Sequence, residues 1–322
     1  MKSSEYFLDS LNHFRTISIL LFTITIIYGC KTDKNKSVSI ETPKEEFHGI
    51  EIITNSMEFQ SVDTILSGWN NFKYINKSPE THFFLLDKYP EGRTLEDTHR
   101  DVLPPFDKGM ALIIAGKMED AMAEFGKLPE WFGDIVFTGG SGLVSPKNIS
   151  LTTVKLEPGL YIIECYVKMA NGVFHTSMGM AKEIWVTERG SGNEPPEADI
   201  NISISSTEGI TYEGDITKGA HIFSVHYKDQ IVHENFVGHD VNLVKLDDSA
   251  NLDALEAWMN WATPTGLMTP SPEGVIFLGG TNDAPAGSVQ YFSVNLESGN
   301  YALISEVPDS KKKGLFKTFT IN

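Results

Sequence analysis

Two cysteines, nine histidines and ten methionines are the soft donors of this 322-residue chain. They are unevenly placed. Residues 161–186 read YIIECYVKMANGVFHTSMGMAKEIWV and bring Cys165, His175 and Met180 into one short stretch. A lone thiol of this kind is either a reactive group or a metal ligand. The plain alternative is a small buried hydrophobe, since Cys packs well in cores. Other chemistry is missing from the sequence. There is no Gly-rich phosphate loop, no HExxH and no GxSxG. Gly139-Gly140-Ser141-Gly142 resembles an elbow, yet its counterpart Gly279-Gly280-Thr281-Asn282 lacks the last glycine. A Phe-x-Gly-Gly shared by both places reads as backbone that needs positive φ. Glu119, Asp120 and Glu124 fall in a segment of helical composition and read as a solvated face.

Cys30 belongs to a different context. Residues 17–28 are Ile, Leu, Phe, Tyr, Ser and Thr only, behind Arg15. Twelve residues are too few to cross a hydrocarbon core, which takes roughly 20. A short apolar run behind a basic residue reads as a secretory signal. It ends in Ile27-Tyr28-Gly29-Cys30, which resembles a bacterial lipobox and implies cleavage before Cys30 and acylation of its thiol. An uncleaved membrane anchor is the alternative, and either leaves the rest outside the cytoplasm. We therefore expect a signal peptide over 1–29 and a lipidated Cys30 with a tether over 30–46. Residues 31–46 are polar, mixed in charge and without aromatics, too poor in apolar surface to fold. As a coil they reach roughly 20–25 Å. With Cys30 acylated, Cys165 has no partner for an internal disulfide. The formal charge of −17 repels phosphate backbones, which argues against nucleic acid and suits a basic redox or envelope protein as partner.

The remaining chain repeats. Phe137-Thr138-Gly139-Gly140 recurs as Phe277-Leu278-Gly279-Gly280, and Leu156-Glu157-Pro158-Gly159-Leu160-Tyr161 as Leu296-Glu297-Ser298-Gly299-Asn300-Tyr301, both offset by 140. Earlier, His82 and Leu95 recur as His239 and Leu252 at an offset of 157. Residues 189–198 (RGSGNEPPEA) break both periodicities. This divides the chain into a first domain over 47–188, a linker over 189–196 and a second domain over 197–322. Strand composition marks 149–154, 161–167, 184–187, 199–205 and 291–296. Helical signal is confined to a capping start at Thr94-Leu95-Glu96-Asp97, to 116–125 and to 252–258. The pattern is all-β: two tandem Greek-key β-sandwiches with a small helical insert in each.

The Tyr-x-x-x-Cys strand, the following His, the x-x-x-Gly-Met and the closing strand resemble the end of a small blue-copper protein of the plastocyanin kind. The counterparts are Tyr161, Cys165, His175, Gly179 and Met180. The resemblance implies that His82, in Thr81-His82-Phe83-Phe84, is the first ligand. Both copies, more broadly, are similar to the cupredoxin-like domain of exported bacterial proteins. The resemblance further implies one copper per chain, held by His82, Cys165 and His175 with Met180 as a weak axial ligand. Two imidazoles and a thiolate in a plane with a long thioether suit both copper oxidation states. The implied function is single-electron transfer or copper handling at the cell envelope, without substrate turnover. A metal-free cupredoxin-like binding or scaffold module is the alternative.

The sequence departs from the family at three points. Nine residues separate Cys165 from His175, where the family has two to four. Phe83 replaces an Asn. Asn171-Gly172 is also the strongest short signal for a two-residue hairpin turn. In such a turn Met178 faces Cys165, Lys168 faces His175, and His175 falls on the face opposite Cys165. A shared metal therefore requires a bulge or loop before His175. In the second copy Ser305 stands at the position of Cys165, and His239 is expected to lack partners and to ligate nothing.

Overall fold

The computed structural model describes residues 47–322, so the expected signal peptide over 1–29, the expected acylation of Cys30 and the expected tether over 30–46 lie outside the described residues. Among the described residues no helix is long and apolar enough to cross a membrane.

The chain is mostly strand. The first half supplies β1 (Ile50–Thr54), β2 (Thr64–Asn76), β3 (His82–Lys88), β4 (Val136–Val144), β5 (Ile149–Leu156), β6 (Gly159–Glu164) and β7 (Ala181–Gly190). The second half supplies β8 (Ile200–Ser205), β9 (Gly209–Glu213), β10 (Gly219–Tyr227) and β11 (Val241–Leu246). It continues with β12 (Val275–Thr281), β13 (Val289–Leu296), β14 (Gly299–Ile304) and β15 (Phe316–Ile321). Burial alternates along β2 and β8 as expected for strands with one face in a core.

The two halves follow one strand plan. β1 runs parallel to β2, as β8 does to β10. β3 lies between β4 and β6, as β11 lies between β12 and β14. The register agrees as well, since Lys88 opposes Tyr161 and Lys245 opposes Tyr301. Each of these tyrosines donates its hydroxyl to a carbonyl four residues upstream, Glu157 or Glu297, at 2.9 Å.

The sequence reading has two sandwiches in tandem; in the described residues the strands of both halves lie on one hydrogen-bonded path, in which β2 pairs with both β5 and β7. β5 pairs with β13 and β4 with β12, so the sheet passes from one half into the other at two places. At these seams Ser141 opposes its repeat partner Thr281, and Thr152 opposes Phe292. A position that pairs with its own counterpart is the mark of a two-fold contact. One hydrophobic cluster accordingly takes Phe72, Phe84 and Ile163 from the first half and Phe277, Ala302 and Ile304 from the second. Residues 47–322 form a single compact unit.

Gly140 and Gly280 show why Phe-x-Gly-Gly recurs. Both have positive φ (154° and 131°). A Cβ on either would stand 2.0 Å from a carbonyl oxygen, that of Phe84 or of its repeat counterpart Val241. The motif is thus a close backbone approach inside β4 and β12. Ser141 beside it is buried against Ser150 and is no exposed nucleophile. Gly140→Ala and Gly280→Ala are each expected to cost more than about 2 kcal/mol, because strain and a backbone clash add. Denaturant unfolding checks this; a change below about 0.5 kcal/mol in both contradicts the close approach.

The helical insert of the first half is larger than the sequence indicates. The helices Leu95–Asp97, Met118–Phe125 and Leu252–Met259 match the expected segments. The helix Leu103–Ile114 lies outside those segments and carries Pro104-Pro105 near its start. The two prolines stand at its first turn, where the missing N–H groups have no intrahelical partner to lose. Glu119 and Asp120 are exposed, and Glu124 pairs with Lys108 and Lys127.

Candidate metal centre

His82 opens β3, and Cys165 follows immediately on β6, the neighbour of β3 in the sheet. Their placement comes directly from strand order. His175 needs more explanation.

After Cys165 the chain leaves the ladder and makes a hairpin of its own. The Met169 N–H donates to the Val173 carbonyl and the Gly172 N–H to the Met169 carbonyl, both at 2.8 Å. Ala170, Asn171 and Gly172 form the loop, with Gly172 at φ +83° and Asn171 outside the positive-φ region. This is a three-residue connection ending in a left-handed glycine, not the two-residue turn expected from Asn171-Gly172. The difference is one residue of register. Lys168 bridges Phe174 instead of His175, and the His175 N–H donates to the Val167 carbonyl at 2.8 Å. A slip of one residue moves every side chain to the other face. His175 is thereby returned to the face of Cys165.

A short turn at Thr176–Met178 and Gly179 at φ +107° then bring Met180 back. The Met180 N–H donates to the His175 carbonyl at 3.0 Å, and the Cys165 N–H to the Met180 carbonyl at 3.3 Å. All four expected residues are fully buried.

The donor atoms converge. Cys165 Sγ lies 3.7 Å from His82 Nδ1 and 3.8 Å from His175 Nδ1, and the two Nδ1 atoms are 3.0 Å apart. An ion with nitrogen at about 2.0–2.1 Å and thiolate sulfur at about 2.3 Å spans separations of about 3–4 Å between its ligands. His82, Cys165 and His175 fit that requirement. Among the described residues no other three His, Cys, Asp or Glu donors come within 4.8 Å of one another.

Burial sets the protonation states. It pushes the His82 imidazole down to about 3, with the nearby His175 adding to the effect, and His175 down to about 4. Both rings are neutral at pH 7, with lone pairs free for a metal. The Cys165 thiol is pushed up to about 12 by burial, partly offset by backbone N–H groups of Phe83 and Val167. A metal would have to displace its proton.

Two supporting contacts escape a reading by motif. The Phe83 side chain stacks edge-on against Tyr166 with centroids 4.6 Å apart, so the residue that replaces Asn contributes its backbone N–H instead. The loop is held by Thr176, whose hydroxyl donates to the Cys165 carbonyl at 2.9 Å. The sequence offers no signal for a backbone donor.

The second half is arranged differently. Ser305, at the Cys165 position, donates to Asp240 at 2.6 Å. His239 does have partners, contrary to expectation: its Nε2 lies 3.1 Å from His233 Nε2 and its Nδ1 faces Asp229. His233 comes from a loop just before β11 that the repeat comparison does not reach.

No protein-family model and no curated protein sequence matches the chain. Several solved structures are similar in part. Dithionite-reduced auracyanin from Roseiflexus castenholzii is 16% identical and aligns with 42% of this chain and 94% of its own, at a TM-score of 0.25. A multicopper oxidase is 10% identical over 85% of this chain and 87% of its own, at 0.21. Copper nitrite reductase from Nitrosomonas europaea is 10% identical over 84% and 93%, also at 0.21. Scores this low carry nothing further, and the strand plan and donor triad above stand on this chain alone.

Proposed function

We propose that this protein is an exported, lipid-anchored copper protein that passes single electrons or handles copper at the cell envelope. The convergence of the His82, Cys165 and His175 donors in a buried pocket carries the reading. A bound copper would supply a one-electron couple. The rest is done by the chain. The two imidazoles would offer neutral nitrogen, Cys165 would offer sulfur once its proton has left, and Met180, whose backbone is hydrogen-bonded to Cys165 and His175, would add a weak thioether contact. Close packing around the donors resists rearrangement between oxidation states. The two halves are read as copies of one cupredoxin-like domain, of which the second is without metal ligands. Titrating the metal-free protein with Cu(II) and recording visible spectra tests this: one equivalent is expected to produce an intense band.

The metal-free scaffold is favoured by one observation. The 3.0 Å between the two Nδ1 atoms is also a hydrogen-bond distance, so the pair can be closed without an ion. A colourless titration decides for it.

The anchor has its own test. Cys30→Ser is expected to release the protein from membranes or to leave an uncleaved precursor there. Unchanged processing with unchanged lipid labelling contradicts lipidation. A basic envelope protein suits the charge of −17 as partner.

A further inference from the structure

Side chains alternate about the two segments that supply Cys165 and His175. Their neighbours Glu164, Tyr166, Phe174 and Thr176 line a separate cavity of about 90 Å³. Its walls are aromatic. Phe106 packs against Phe132, Phe174 and Phe236 with centroids 5.6, 6.0 and 6.2 Å away, and Trp261 lies 6.4 Å from Phe174. Four carboxyl groups also line it, from Asp87, Glu164, Asp283 and Glu306.

Two of these are accounted for. Glu306 accepts the Tyr166 hydroxyl at 2.6 Å, and Glu164 accepts a hydrogen bond from Asp87 through Oδ2. Asp87 and Asp283 are only 2% and 4% exposed, and in each Oδ1 has no hydrogen-bond partner. Trp261 lines the same cavity, and its buried Nε1 has no hydrogen-bond partner either. Buried polar atoms without partners are costly and uncommon, and three in one cavity call for a ligand.

We propose that this cavity binds a small organic ammonium ion carrying a hydroxyl or ether oxygen. The ammonium donates to Asp87 and Asp283 among aromatic rings, whose faces attract cations, and the oxygen accepts from Trp261 Nε1. A bare metal ion fits less well. Outside the His82 triad, no three Asp, Glu, His or Cys donors of the described residues come within 4.8 Å of one another. Phe236 lines the cavity and is 46% exposed, with its backbone at φ +72°. The proposal does not depend on copper at the neighbouring centre.

Calorimetry on the full-length, metal-free protein in detergent tests it, with 3-amino-1-propanol as probe and 1,3-propanediol and calcium chloride as controls. One saturable site for the amine is expected, with the diol at least tenfold weaker and no competition by calcium. Asp87→Asn and Asp283→Asn should each weaken the amine at least tenfold. Phe236→Ala, at a partly exposed wall residue, should weaken it about threefold in a protein that melts like the wild type, so an unfolded core variant does not end the test. Equal binding of amine and diol, displacement by calcium, or no amine binding at millimolar concentration overturns the proposal.

Discussion

Cys165→Ser is expected to abolish the intense visible band of the copper-loaded protein and to lower copper affinity by at least about a thousandfold. The band depends on charge transfer from thiolate sulfur, which a serine hydroxyl cannot supply at neutral pH. Folding should be little affected, for two reasons. The hydroxyl is close in size and has imidazole acceptors nearby, at 3.7 and 3.8 Å from the present sulfur. A buried serine, Ser305, already occupies the equivalent position in the second half. Visible spectra of both proteins at one copper equivalent, with thermal melts alongside, make the comparison. Colour that survives in Cys165→Ser removes the triad from consideration.

The second large effect is a pH dependence of copper affinity with a single slope. With His82 at about 3 and His175 at about 4, neither imidazole releases a proton on binding above pH 5. Cys165, at about 12, releases one throughout the range up to that value. Binding that expels a proton strengthens as pH rises. The Cu(I) association constant should therefore increase about tenfold per pH unit, or roughly a thousandfold between pH 5 and 8, and should keep rising to pH 10. Competition against a chelator of known pH behaviour measures it. Imidazoles with ordinary values would steepen the slope below pH 6.5, and an ordinary thiol would flatten it above 8.5. Either result means that the donors are not buried together in the metal-free protein.

The sequence by itself determined the strand-rich class and the repeated motifs, and it singled out the residues of the candidate triad. Strand alternation, Phe-x-Gly-Gly and the tyrosine four residues beyond Glu157 and Glu297 are local signals, and each marks a contact made in the same way in both halves. The triad was legible because Cys165 is the lone thiol of residues 47–322 and the resemblance of the segment around it points to His175 and His82. Only the tertiary structure decided whether the donors meet. Asn171-Gly172 is compatible with a two-residue or a three-residue hairpin, and the choice rests on where the Met169 N–H finds its partner. That single residue of register selects the face on which His175 lies. Only the tertiary structure, too, joined the two halves through β4–β12 and β5–β13, since edge pairing between distant strands leaves no periodic trace. The same holds for Asp87 and Asp283. They are far apart in sequence and ordinary in composition, and only packing brings them to one aromatic cavity.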